Sequence, residues 1–142
     1  MEVQAKLEIG DNNAKIYSKN YNVVNLFCHF TRQTSNSRPD TDACCERIDI
    51  TLVAPGMDDV SLYNWYISGD PLCGRVSFDL SSGLGNTRSG DGDLLFEDAY
   101  CYAIEEDYSI DRPMRHTVKL SLVAEKMTFE GATFKNPYDN NQ

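Results

Sequence analysis

Apolar and polar residues alternate along most of this chain, a two-residue period that predicts β-strands with one buried face. The first run, VQAKLEIG at 3–10, ends in Asp11-Asn12-Asn13, a turn composition. A short strand AKIYS follows, then a long one, YNVVNLFCHFTR at 21–32. Strict alternation there puts Val24, Leu26, Cys28 and Phe30 on one face, and Val23, Asn25, Phe27 and His29 on the other. Farther on, Ile48, Ile50 and Leu52 alternate with Asp49 and Thr51, as in a sheet with one wet face.

The period changes once. Pro55 and Gly56 stop the strand, and Asp58 and Asp59 suit a helix N-terminus, whose unpaired amides favour negative charge. Val60, Tyr63 and Ile67, with Leu62 and Tyr66 alongside, form an apolar stripe at helical spacing. Gly69 and Pro71 end it, so a short helix is predicted over 57–68. The strand LCGRVSFDL comes next, then a glycine-rich loop, SSGLGNTRSGDGD. Two long strands follow, LLFEDAYCYAIEEDYSI and MRHTVKLSLVAEKMTFEG, the second with Val118, Leu120, Leu122 and Ala124 on one face. A short last strand opens ATFKNPYDNNQ, and 135–142 is predicted to fray. The fold class is therefore mainly β: an antiparallel barrel or sandwich over 1–142, a single domain with one short flanking helix.

One segment does not fit a compact hairpin. Between Thr31 and the strand containing Ile48 lies a polar spur, an extended loop at 33–43, with one proline and no glycine. A loop that long and polar between pairing strands is uncommon in a compact domain, and it is either a mobile hairpin loop or a contact surface.

Charge narrows the possible partners. The chain has 142 residues and a formal net charge of −9, with no cluster of Lys and Arg. That argues against a nucleic-acid footprint and against an anionic lipid surface. No apolar run is long enough to insert in a membrane, and MEVQAKLEIG lacks the pattern of a signal peptide. Cys28, Cys44, Cys45, Cys73 and Cys101 are expected to be reduced thiols. Cys44 and Cys45 are adjacent on a strand and face opposite ways, which disfavours a bond between them.

The chemistry of an enzyme does not assemble. His29 and Cys28 diverge on their strand, and His116 has no nucleophile marked by a sharp turn. Asp91, Asp93, Glu97 and Asp98 are oxygen donors without the spacing of a calcium loop. Glu105, Glu106 and Asp107 are strand neighbours and cannot converge as an acid and a base. No catalytic residue, metal site or cofactor is expected. The aromatic residues Tyr63, Trp65, Tyr66, Tyr100, Tyr102 and Tyr108 would be a ligand platform, core packing or a subunit contact.

The ordered features resemble a known family. Cys28 and Arg32 lead into a loop with Arg38-Pro39. A later strand reads Phe96-Glu97-Asp98-Ala99-Tyr100-Cys101, and the chain closes on Gly131-Ala132-Thr133-Phe134. This arrangement is similar to the Hcp tube protein of bacterial type VI secretion systems, in its divergent branch. It departs at Ser37, where the branch tends to have glycine, and at Cys44-Cys45, where small glycines often open the next strand.

The resemblance implies a structural protein without enzymatic activity, a barrel that forms hexameric rings stacked into a tube. Its partners would be other copies of itself, effector proteins in the lumen, and the sheath and spike of the apparatus. It implies assembly in the bacterial cytoplasm and export through the apparatus without a signal peptide. It also makes Thr34, Ser35, Asn36, Ser37, Arg38, Pro39 and Asp40 an inter-ring contact loop. On physical grounds an open barrel would leave edge strands unpaired, and ring closure would pair them. The alternatives are a monomeric β-sandwich module that binds carbohydrate or peptide, and a phage-like tail-tube protein.

Overall fold

The computed structural model describes residues 4–31, 34–35, 38–39, 44–56, 59–79, 93–109, 114–129 and 132–135. Nine strands and one helix occur there: β1 Gln4–Asp11, β2 Ile16–Thr31, β3 Thr34–Ser35, β4 Arg38–Pro39, β5 Cys44–Val53, α1 Ser61–Ser68, β6 Leu72–Asp79, β7 Leu94–Ser109, β8 Met114–Phe129 and β9 Ala132–Lys135. AKIYS and the long run after it are one sixteen-residue strand, because β2 changes partner midway instead of breaking. Its first half pairs with β1 and its second half with β5.

The main sheet runs β5-β2-β1-β6-β7-β8-β9, and β5 also pairs with β8. That last ladder, Ile48↔Leu122 through Val53↔Thr117, closes six antiparallel strands into a barrel. Of the two expected forms, barrel or sandwich, the chain adopts the barrel, and it is closed. Two chain segments some seventy residues apart carry matching apolar runs, and pairing them removes the edges each would otherwise expose.

The barrel interior is filled by the predicted alternating residues. Leu7, Ile48, Ile50, Leu52, Val76, Phe96, Val118, Leu120 and Leu122 are fully buried. Burying such aliphatic and aromatic side chains contributes about 1.5–3 kcal/mol each and is the main stabilising term.

The alternation fails in β2 for a stated reason. Val23 faces Leu52 and Asn25 faces Thr51, so Val24 is an extra residue in a β-bulge. Val23, Leu26 and Cys28 consequently pack on the core while Val24 is exposed. The expectation that Val24 shares their face is corrected by this one-residue slip. The outer face of β5 is also drier than expected, since Asp49 and the opposed Ser121 are both buried at mid-sheet. Arg47 lies over them, its Nε 3.0 Å from Asp49 Oδ2.

The helix begins later than predicted. It starts at Ser61, and Asp59 precedes it, its Oδ1 accepting from the Ser61 amide at 3.0 Å; residues 57 and 58 lie outside the described set. Gly69 closes it in the left-handed conformation, φ 74°. The stripe of Val60, Tyr63 and Ile67 is not the buried face. Leu62 and Trp65 are buried, whereas Val60 and Ile67 are exposed, Ile67 by 74%. A two-turn helix can press few side chains onto a barrel, and an indole covers more apolar area than isoleucine.

Asp59 also ties the helix start to β2. Tyr21 donates to Asp59 Oδ2 at 3.3 Å, and Lys19 Nζ lies 3.9 Å from the same oxygen. Burial, with the Asp59 charge second, pushes the Tyr21 phenol up to about 12. A raised value means that the neutral form is favoured in the fold. Tyr21 therefore contributes stability that is whole below pH 10 and is lost as pH rises from 10 to about 12. Urea midpoints measured between pH 9 and 11 should fall more steeply for the native sequence than for Tyr21→Phe. Parallel curves would show that Tyr21 does not titrate in this way.

Candidate functional site: two strand edges of one long sheet

Four long strands lie side by side in the order β2, β5, β8, β7. Adjacent members are antiparallel throughout. Beyond Asn22, β2 pairs only with β5 among the described residues, so Leu26–Thr31 presents its other edge outward. Beyond Ala99, β7 has β8 on one side and no β6 partner on the other among the described residues. Helix α1 sits beside this gap, and Trp65 Nε1 donates to the Ala99 carbonyl at 3.0 Å. Cys101–Glu105 is thus an edge at the opposite side of the same sheet.

The outer surface of this sheet carries a row of Phe27, Asp49, Ser121 and Ala103. Phe27 is 46% exposed, with the Arg47 guanidinium 5.6 Å from its ring centre. His29 stacks beside it at 6.5 Å, and His29 Nε2 lies 3.3 Å from Glu46 Oε1. Neutral and charged groups are mixed here, and the pairs are local ones on the surface.

The spur forms a sheet of its own. β3 and β4 pair as Thr34↔Pro39 and Ser35↔Arg38, beyond the last barrel pair Thr31↔Cys44. Of the seven predicted contact residues, Thr34, Ser35, Arg38 and Pro39 are on this small ladder; Asn36, Ser37 and Asp40 lie outside the described residues.

The aromatic platform does not come together. Trp65 is buried in the core and stacks on Phe96 at 6.3 Å, while Tyr66, Tyr100, Tyr102 and Tyr108 are exposed. Among the acidic residues considered for calcium, Asp93 serves the barrel. Its Oδ2 lies 3.6 Å from Arg75, and its Oδ1 accepts from the Phe78 amide at 3.4 Å. Among the described residues, no group of three or more His, Cys, Asp or Glu is placed to hold a metal.

Sequence reasoning expected unpaired edges but did not locate them. They arise where a long strand outruns its neighbour, and the only signal was length: sixteen residues in β2 and β7 against eight in β1 and β6.

The fold is thus a closed antiparallel β-barrel with one flanking helix and a wide sheet whose two edges are unpaired among the described residues. The chain belongs to the hemolysin coregulated protein Hcp (TssD) family, whose description matches residues 1–138. It is accordingly a structural subunit of a type VI secretion tube. It is similar to Hcp1 from Flavobacterium johnsoniae, at 22% identity and a TM-score of 0.72, covering 94% of this chain and 99% of that one. Hcp3 from Pseudomonas aeruginosa is similar at 16% identity and a TM-score of 0.57, over 95% of this chain and 97% of the other. The SPP1 tail tube shares the fold at 12% identity and a TM-score of 0.57, over 95% and 76%. No curated protein matches the sequence significantly. No helix of the described residues is long and apolar enough to cross a membrane.

Proposed function

We propose that copies of this chain join side by side, the β7 edge of one against the β2 edge of the next, into a closed six-membered ring. The observation that carries this is the strand direction. β7, β8, β5 and β2 alternate up and down, so β2 of one copy beside β7 of another continues the antiparallel pattern. The contact is head-to-tail, the kind that closes into a ring when the rotation fits. The number six rests on the family resemblance.

Rings then stack into a tube, with Thr34, Ser35, Asn36, Ser37, Arg38, Pro39 and Asp40 gripping the next layer. Effectors occupy the lumen, and sheath and spike proteins of the apparatus are the other partners. Assembly takes place in the bacterial cytoplasm, and export uses the apparatus in place of a signal peptide. The subunit acts as a conduit and catalyses no reaction.

Native mass spectrometry of the purified chain is expected to give a hexamer. Amides of 26–31 and 101–105 should exchange slowly with deuterium in the ring and quickly in the diluted monomer. Slow exchange appearing elsewhere, with these two segments unchanged, would reject edge pairing. The double variant Arg38→Ala, Asp40→Ala should shorten tubes at least several-fold while leaving the ring intact, as loss of repeated weak contacts does. Equal loss of rings and tubes would reject that assignment of the spur.

A further inference from the structure

Two cysteines that the tube function does not use stand together at the root of the spur. Cys28 on β2 is opposite Ile48, and Cys45 on β5 is opposite Phe30, so the two lie on one diagonal of the ladder. The register steps from His29↔Arg47 to Phe30↔Cys45, which leaves Glu46 as the extra residue of a bulge. Cys45 is buried and Cys28 half-buried, and both pack on the barrel core. Each thiol shifts the other's titration, and Cys45 Sγ donates to the Arg47 carbonyl at 3.5 Å. Diagonal neighbours lie about 7–8 Å apart at Cα, so closing the bond takes a small backbone shift, which the bulge at Glu46 can supply.

We propose that Cys28 and Cys45 are a redox-active pair that closes to a disulfide by exchange with a low-molecular-weight disulfide such as oxidised glutathione. The two thiols are unequal. The Cys45 hydrogen bond holds the Cys28 thiol below its ordinary value, while that same bond and burial push Cys45 up. Cys28, the more exposed, therefore supplies the attacking thiolate. It bonds to one glutathione sulfur and expels the other as a thiolate, which takes up a proton. Cys45 then loses its proton to solvent and attacks the Cys28 sulfur, expelling the second glutathione. In sum two protein thiols lose two electrons and two protons, and one glutathione disulfide becomes two thiols.

The bond would tie β2 to β5 beside their last pair, Thr31↔Cys44. It does not depend on how rings form, so the two readings fail separately. A protein that makes no rings can still form this bond, and rings can form without it.

The test is to equilibrate the native chain with oxidised glutathione, block free thiols with N-ethylmaleimide and map tryptic peptides by tandem mass spectrometry. Peptides 20–32 and 33–47 should appear linked, with fragmentation placing the bond on Cys45 and the blocking group on Cys44, Cys73 and Cys101. The oxidised chain should melt about 5–10 °C higher than the reduced one, as expected for closing a loop of this length. Cys44→Ser should form the same link, and Cys45→Ser should hold glutathione on Cys28 as a trapped mixed disulfide. Five blocked thiols after equilibration would overturn the proposal, as would a link through Cys44 or Cys73. If Cys45→Ser does not fold, the native map and Cys44→Ser decide the matter.

Discussion

Replacing Trp65 with alanine is expected to cost about 4 kcal/mol, the upper range for deleting a large buried aromatic. Trp65 is 3% exposed, stacks on Phe96 and donates its indole N–H to the Ala99 carbonyl. It is also the main anchor of α1, since Leu62 is the only other fully buried side chain of the helix. Truncation opens a cavity and leaves the Ala99 carbonyl without its donor, and the helix is too short to persist alone. With a total stability of about 5–15 kcal/mol for a domain of this size, the variant should be marginal at growth temperature. Trp65→Phe keeps most of the apolar area and loses the hydrogen bond, so about 1–3 kcal/mol is expected. Urea unfolding followed by circular dichroism measures both. A Trp65→Ala chain of native midpoint would show that the indole is not in the core.

Gly74→Ala is the second large effect, an expected loss of about 3 kcal/mol from overpacking. A Cβ at Gly74 would meet the Glu8 carbonyl oxygen at 2.4 Å, Phe96 Cζ at 2.9 Å and Ile9 Cα at 3.2 Å. Two of these obstacles are backbone of β1, and the third is a fully buried ring, so no flexible side chain can give way. β1 also cannot withdraw freely. Arg75 Nε holds Glu8 Oε1 at 2.7 Å, and Asn12 Nδ2 donates to the carbonyls of Gly74 and Phe96 at 2.9 and 3.1 Å. The melting temperature should fall by about 10 °C. A fall no larger than about 2 °C would mean that β1 and β6 separate more easily than these contacts allow.

Much of the fold was legible because its information is local. Ile48, Ile50 and Leu52, or Val118, Leu120 and Leu122, announce a buried strand face by themselves, and all six are buried. Gly69 marked the helix end for an equally local reason, its left-handed backbone. Val24 was misplaced because a bulge changes the phase without changing composition. Ile67 was misplaced because an eight-residue helix offers two apolar sides, and only the neighbouring strand chooses between them. The Cys28–Cys45 contact was hidden for a related reason. Cys44 and Cys45 are the pair adjacent in sequence, whereas antiparallel pairing brings together residues from either side of a loop. The spur was recognisable as a long polar insertion, yet its partner is a matter for the assembled state.

The sequence by itself determined that this chain is a strand-rich domain with one short helix, a polar spur and the ordered motifs of its family. Periodicity, turn residues and charge act within a few positions of one another, and no distant contact is needed to set them. Only the tertiary structure decided that β5 meets β8, that Trp65 faces inward and that β2 and β7 outrun their neighbours to leave two edges. Those outcomes depend on pairings between segments tens of residues apart, where many registers satisfy the local pattern and the packing of a common core selects one.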